Sequence, residues 1–132
     1  MPHITVEYSA NLEADLDPAA LVAALHAAAL ATGVFPIGGL RTRAARREIF
    51  LVADGDPDNA FVAVTARIGE GRSEDTRMDV AQALMQALEK ATASAFAKRG
   101  LGLTVEVQEI NPFASLKTNN LHDRMAAKGK RA

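Results

Sequence analysis

The chain has no cysteine and no tryptophan, one tyrosine, five phenylalanines and almost no net charge. Each of these shortages excludes something. Without cysteine there are no disulfides, no thiolate nucleophile and no Cys-ligated zinc or iron–sulfur centre, and a reducing compartment is the expected setting. Fifteen Lys and Arg against sixteen Asp and Glu leave a charge of −1, so no whole-molecule field steers the chain toward nucleic acid. No apolar run approaches the roughly 18 residues that would cross a bilayer. The opening MPHITVEYS has neither a basic nor an apolar leader region. At 48% hydrophobic and 23% charged over 132 residues, wholly disordered, collagen-like and rod-like classes drop out. One soluble, cytoplasmic domain is expected, burying about two-thirds of its extended surface.

What is present is alternation, interrupted twice by helical spacing. Ile4, Val6 and Tyr8 share one face of a strand that begins almost at the first residue. Asp17-Pro18 supplies an N-cap and a first-turn proline, Leu21, Val22, Leu25, Ala28 and Ala29 form a stripe, and Gly33 stops the helix near Thr32. After the loop VFPIGGLRTR a second strand is expected between Leu40 and Ala53, best marked by Ile49 to Val52. DGDPDN, from Asp54 to Asn59, reads as a turn. Val62, Val64, Ala66 and Ile68 then form one face of a third strand, broken by Gly69 and Gly71. Ser73 caps a longer helix whose stripe is Met78, Ala81, Leu84, Met85, Leu88, Thr92, Ala95 and Phe96. Leu103, Val105 and Val107 mark a fourth strand.

The string is β-α-β, turn, β-α-β: an α+β fold with one four-stranded mixed sheet. Right-handed crossovers place both helices on one face of it. The domain is expected to span residues 1–123, with a basic, disordered tail over 124–132 that carries Arg124, Lys128, Lys130 and Arg131. The other sheet face still holds Phe61, Ala63 and Thr65, and self-association is the economical way to cover it.

Three signals carry less than they suggest. Asp54, Asp56 and Asp58 have the early spacing of a calcium loop, but Asn59 stands where glycine is needed and Thr65 where glutamate is needed. His3, His26 and His122 are not at metal-ligand spacing. The run RTRAARR holds Arg41, Arg43, Arg46 and Arg47, yet no aromatic platform accompanies it for RNA binding. A better candidate is IGEGRSEDTR, from Ile68 to Arg77, where a strand ends, a glycine-rich loop turns and a helix begins. Backbone N–H groups at such a helix start favour an anion, with Arg72 beside them. The terminus is another. Methionine before proline is normally removed, which leaves Pro2 as a secondary amine. An apolar pocket and nearby guanidinium groups would lower its pKa toward that of a general base. With Met1 retained, the Pro2 nitrogen is an amide and cannot act so.

On these residues the chain resembles the 5-carboxymethyl-2-hydroxymuconate Δ-isomerase family of the tautomerase superfamily. The blocks that carry the resemblance are MPHITVEYS, ATGVFPIGGLRTR, ADG, AFV with IGEGRS, and KTNNLH, in the family's order and over nearly the whole chain. The resemblance implies paired β-α-β units, a homotrimer with inward-packed sheets, catalysis by Pro2, and binding of substrate carboxylates by Arg41 and Arg72. It implies a small polycarboxylate dienol as substrate, ketonised in homoprotocatechuate breakdown, with no cofactor or metal and no nucleic-acid or membrane partner. A single proton-returning group and fixed cations are what such a reaction needs, and arginine forks suit carboxylates. Phe35 and Phe113 read as core first and as pocket walls second. The tail after Asp123 and the segment AARRE depart from the family pattern, so Arg46 and Arg47 could shift substrate preference. The alternatives are a tautomerase acting on another 2-hydroxy-dienoate or an arylpyruvate, and a non-catalytic ferredoxin-like oligomeric binding module. Strand order separates the last: a ferredoxin-like sheet pairs the second and third strands as a hairpin, whereas a tautomerase sheet centres the first and third.

Overall fold

Four strands pair into one sheet in the computed structural model, which describes residues 1–131, with side chains through residue 129. They are β1 (His3–Ser9), β2 (Arg41–Arg47), β3 (Ala60–Gly69) and β4 (Leu101–Ile110), in the spatial order β2-β1-β3-β4. β1 runs parallel to β2, with His3 opposite Arg41, and β3 parallel to β4, with Ala60 opposite Leu101. The two central strands are antiparallel, with His3 opposite Arg67 and Tyr8 opposite Val62. β2 and β3 do not pair, so the ferredoxin-like hairpin is excluded and the expected order holds.

Helix α1 (Pro18–Ala31) crosses from β1 to β2, and α2 (Glu74–Ala91) from β3 to β4. Both starts follow from their caps: Asp17 accepts from the Ala19 N–H at 3.0 Å, and Ser73 Oγ accepts from the Thr76 N–H at 3.1 Å. The helices touch each other and lie along β2 and β4, burying Leu21, Leu25 and Ala29 of α1 with Val80, Leu84 and Leu88 of α2. Against them sit Ile4, Val6 and Tyr8 of β1 and the alternate residues Val62, Val64, Ala66 and Ile68 of β3. Both alternation patterns therefore mark the core face correctly. The opposite face, with Thr5, Glu7, Phe61, Ala63 and Thr65, is only half-buried.

Four expectations need correction. The second strand is Arg41–Arg47, not the apolar Ile49–Val52, whose Ile49 and Leu51 stand 98% and 90% exposed. A parallel edge strand gains its backbone partners from β1 alone, so hydrophobicity does not mark it. The long helix breaks at Thr92, whose hydroxyl donates to the Leu88 carbonyl at 2.7 Å, and continues as α3 (Ala93–Lys98). Of its stripe, Met78 and Phe96 are exposed while Val80 takes the core position. Phe113, offered as core or wall, is exposed, whereas Phe35 is core. Finally, the stretch expected as a disordered tail carries helix α4 (Leu121–Arg131). Asn119 Oδ1 accepts from the Leu121 N–H at 2.6 Å, and the Asn120 carbonyl accepts from the Arg124 N–H at 3.1 Å, which starts the helix. The Lys130 and Arg131 side chains and Ala132 lie outside the described residues.

Candidate active site

Three loops converge because of the strand register. The Arg41 N–H donates to the Pro2 carbonyl at 3.1 Å, so the turn ahead of β2 sits beside the start of β1. β3 runs the other way, so its last residue, Gly69, arrives at that same end. Pro2 itself is buried. A cavity of about 410 Å³ forms there, with Met1, Pro2, Pro36 and Gly39 on one side and Gly69 with Arg72 on another. The third side is Lys117, Asn119 and His122 from the segment after β4. A Cβ at Gly39 would lie 3.4 Å from Pro2 Cδ, in ordinary contact, so this wall runs against the proline ring.

Arg72 is held by contacts that leave its charge unpaired. Nη1 donates to the Gly69 carbonyl at 3.1 Å and Nη2 to the Val34 carbonyl at 3.4 Å. The guanidinium lies 5.3 Å from the centroid of the buried Phe35 ring, within cation–π reach. Phe35 thus serves the site by backing Arg72 as well as filling the core. Arg41 is placed differently. Its Nη1 donates to the Gly39 carbonyl at 2.7 Å, and it does not line the cavity. Its charge is nonetheless felt at the amino terminus. The Met1 ammonium is pushed below its usual value by burial, then by the Lys117, Arg41 and Arg72 charges in turn. Of these, Lys117 and Arg72 border the cavity with Pro2, the next residue.

The helix start at Ser73 behaves otherwise than expected. The Gly71 N–H donates to Glu109 Oε2 at 3.1 Å, and Ser73 caps α2. The chain's own carboxylate therefore takes the anion position, and Arg72 alone of that loop faces the cavity. Arg46 and Arg47 do not line this cavity. Arg46 pairs with Glu13 at 3.2 Å and Arg47 with Glu7 at 2.6 Å along β2, away from the cavity. Asp54 and Asp56 accept the N–H groups of Asp56 and Asp58, which is turn geometry. Among the described residues no group of three His, Asp or Glu is placed to hold a metal ion. Lys117, Asn119 and His122 carry no local pattern that sets them apart as site residues; only the block KTNNLH pointed toward them.

His3, the first residue of β1, carries a neutral imidazole. Arg43 Nη1 lies 3.1 Å from His3 Nδ1, and a guanidinium only donates, so Nδ1 accepts and the ring is uncharged. Burial first, then the Arg43 and Arg41 charges, holds its pKa below the usual histidine value.

A second cavity, about 540 Å³, lies between α2, α3 and β4 and is walled by Met85, Phe96 and Leu103. Glu89 is the one titratable group on its wall, so no proton-transfer arrangement stands there.

Two β-α-β units joined so that their first strands lie side by side, with a buried proline opening the sheet beside a free guanidinium, define the tautomerase superfamily architecture. A family model for 5-carboxymethyl-2-hydroxymuconate isomerase matches residues 2–125. A 5-carboxymethyl-2-hydroxymuconate Delta-isomerase of Escherichia coli is 35% identical over 122 residues, covering 92% of this chain and 97% of that protein. The crystal structure of a 5-carboxymethyl-2-hydroxymuconate isomerase from Deinococcus radiodurans R1 superposes with a TM-score of 0.88 at 38% identity, covering 94% of this chain and 93% of that one. The chain belongs to the 5-carboxymethyl-2-hydroxymuconate isomerase family. A fused 4-OT solved as a symmetric trimer shares the fold at 19% identity, with a TM-score of 0.62 over 89% of this chain and 92% of that one.

Proposed function

We propose that the chain converts 5-carboxymethyl-2-hydroxymuconate to its 2-oxo isomer, without a cofactor, in the cytoplasmic breakdown of homoprotocatechuate. The observation that carries this reading is the shared cavity of Pro2 and Arg72, under cations that disfavour an ammonium at the chain start. Removal of Met1 turns the Pro2 nitrogen from an amide into a basic amine. That amine takes the proton of the 2-hydroxyl, the double bonds shift along the diene, and the resulting ammonium returns the proton to the far carbon. Arg72 and Arg41 hold carboxylates and offset the charge that develops on the oxygen. The working unit is a homotrimer, in which the half-buried sheet face is covered by neighbouring copies.

The decay of the dienol's ultraviolet absorbance tests this, using protein whose first residue is confirmed as Pro2. Wild type should accelerate it strongly, and Pro2→Ala should lose roughly 100-fold or more of kcat. Equal rates for the two proteins would remove the proline from the mechanism.

A further inference from the structure

The substrate proposed above carries three carboxylates, one at each end of the muconate and one on the carboxymethyl arm. Arg41 and Arg72 provide for two. Among the described residues, no carboxylate lies within ion-pair distance of Arg41, Arg72 or Lys117. Three cations without counterions thus surround the start of the chain. Lys117 also occupies a particular place. It borders the Pro2 cavity and an adjoining one of about 370 Å³, which shares Met1 and Gly69 and is closed by Ile110 and Pro112. Glu70 borders that second space as well, so a carboxylate entering it needs the Lys117 charge to offset the repulsion.

Lys117 is exposed on a segment that has no regular structure, yet the segment is fastened two residues further on. Asn119 Nδ2 donates to the Gly38 carbonyl at 3.0 Å. Gly38 faces His122 so closely that a Cβ there would lie 2.9 Å from the His122 backbone nitrogen. The turn that builds one wall of the cavity therefore also anchors the chain that delivers the lysine.

We propose that Lys117 binds the third carboxylate, the one on the carboxymethyl arm, and so sets the preference for a tricarboxylate over a dicarboxylate dienol. The assignment rests on the isomerase reading, and two substrates keep the two claims apart. Purified Pro2-started wild type, Lys117→Met and Lys117→Arg are compared on 5-carboxymethyl-2-hydroxymuconate and on 2-hydroxymuconate, which lacks the arm. Assayed on the pH plateau above the amine's pKa, where both proteins hold the free base, Lys117→Met should raise KM for the first substrate about 10-fold or more and change either constant for the second by less than about 2-fold. Lys117→Arg should restore most of the lost affinity. Equal losses on both substrates, or none on either, overturn the assignment while wild-type turnover keeps the isomerase reading. Wild type inert toward both dienols overturns the two together. The lysine is exposed, so matching melting temperatures should show all three proteins equally folded.

Discussion

An amine is a base near neutral pH only where its ammonium is made unwelcome, and the chain start here has both means. Burial removes hydration, and Lys117, Arg41 and Arg72 add like charge. The sign for activity follows directly: in the mechanism proposed above the free base is the active form, so kcat/KM should rise with pH through the amine's pKa. That pKa should lie below that of an exposed terminal proline. Removing one cation relaxes it, so the acidic limb of the profile should move to higher pH in Lys117→Met. An unmoved limb would mean that Lys117 plays no part in setting that pKa. At this scale the sequence announces residues whose chemistry is rare or marked, such as a proline at position 2 and an arginine in a glycine-rich loop. Lys117, Asn119 and His122 are ordinary surface types, and only tertiary contact with Gly38 and Met1 makes them part of a site. Arg41 shows the converse. Its segment stands out in the sequence, but its side chain donates to the Gly39 carbonyl and stays off the cavity lining, so holding a carboxylate requires it to turn inward.

Elements differ in how they declare themselves. β1 and β3 bury alternate residues against the helices and β4 half-buries its own, and period-two alternation reveals each of them. β2 is RTRAARR, an edge strand whose place comes from parallel hydrogen bonding to β1 and from pairing of Arg47 with Glu7. No hydrophobic period can find such a strand. Helix α4 is similar. Eleven residues with no buried side chain among the described ones are marginal as an isolated helix, and what fastens this one is its first turn against Gly38. That dependence is testable. Gly38→Ala should push His122 away, expose the segment after Ile110 to limited proteolysis and speed its amide exchange, while α1 and α2 keep their protection. Unchanged cleavage would mean that the Gly38 contact does not hold the segment. His3 supplies a second test on β1. Its pKa is below 6.5 when folded, so the native state binds fewer protons than the unfolded chain. Stability should therefore be complete above pH 6.5 and decline as pH falls through the lowered value. The decline should shrink in His3→Gln, as read by melting temperature against pH.

As a whole molecule, a single copy leaves too much apolar surface facing water. Ile49, Leu51, Phe113 and Leu116 are all exposed, and the half-buried face of the sheet lies open on the side away from the helices. In the trimer proposed above, the apolar run that imitates a strand in the sequence would serve as contact surface for neighbouring chains. Light scattering should give a mass of about three chains, and the double variant Ile49→Asp, Leu51→Asp should lower both that mass and the melting temperature. A wild type that runs as one chain would refute the assembly.

The duplicated architecture also fixes how many reacting centres such an assembly can hold. Pro2 precedes β1 and packs on Gly39 just ahead of β2; Asn59 precedes β3 and packs on Gly100 just ahead of β4, where a Cβ would come within 2.5 Å of its Oδ1. The two halves thus repeat one strand-start contact at opposite ends of the sheet. Only one can receive a chain terminus, because the Asn59 nitrogen is an interior amide donating to the Asp56 carbonyl. Symmetry doubles the seats, but occupancy is counted in chain ends, one per polypeptide.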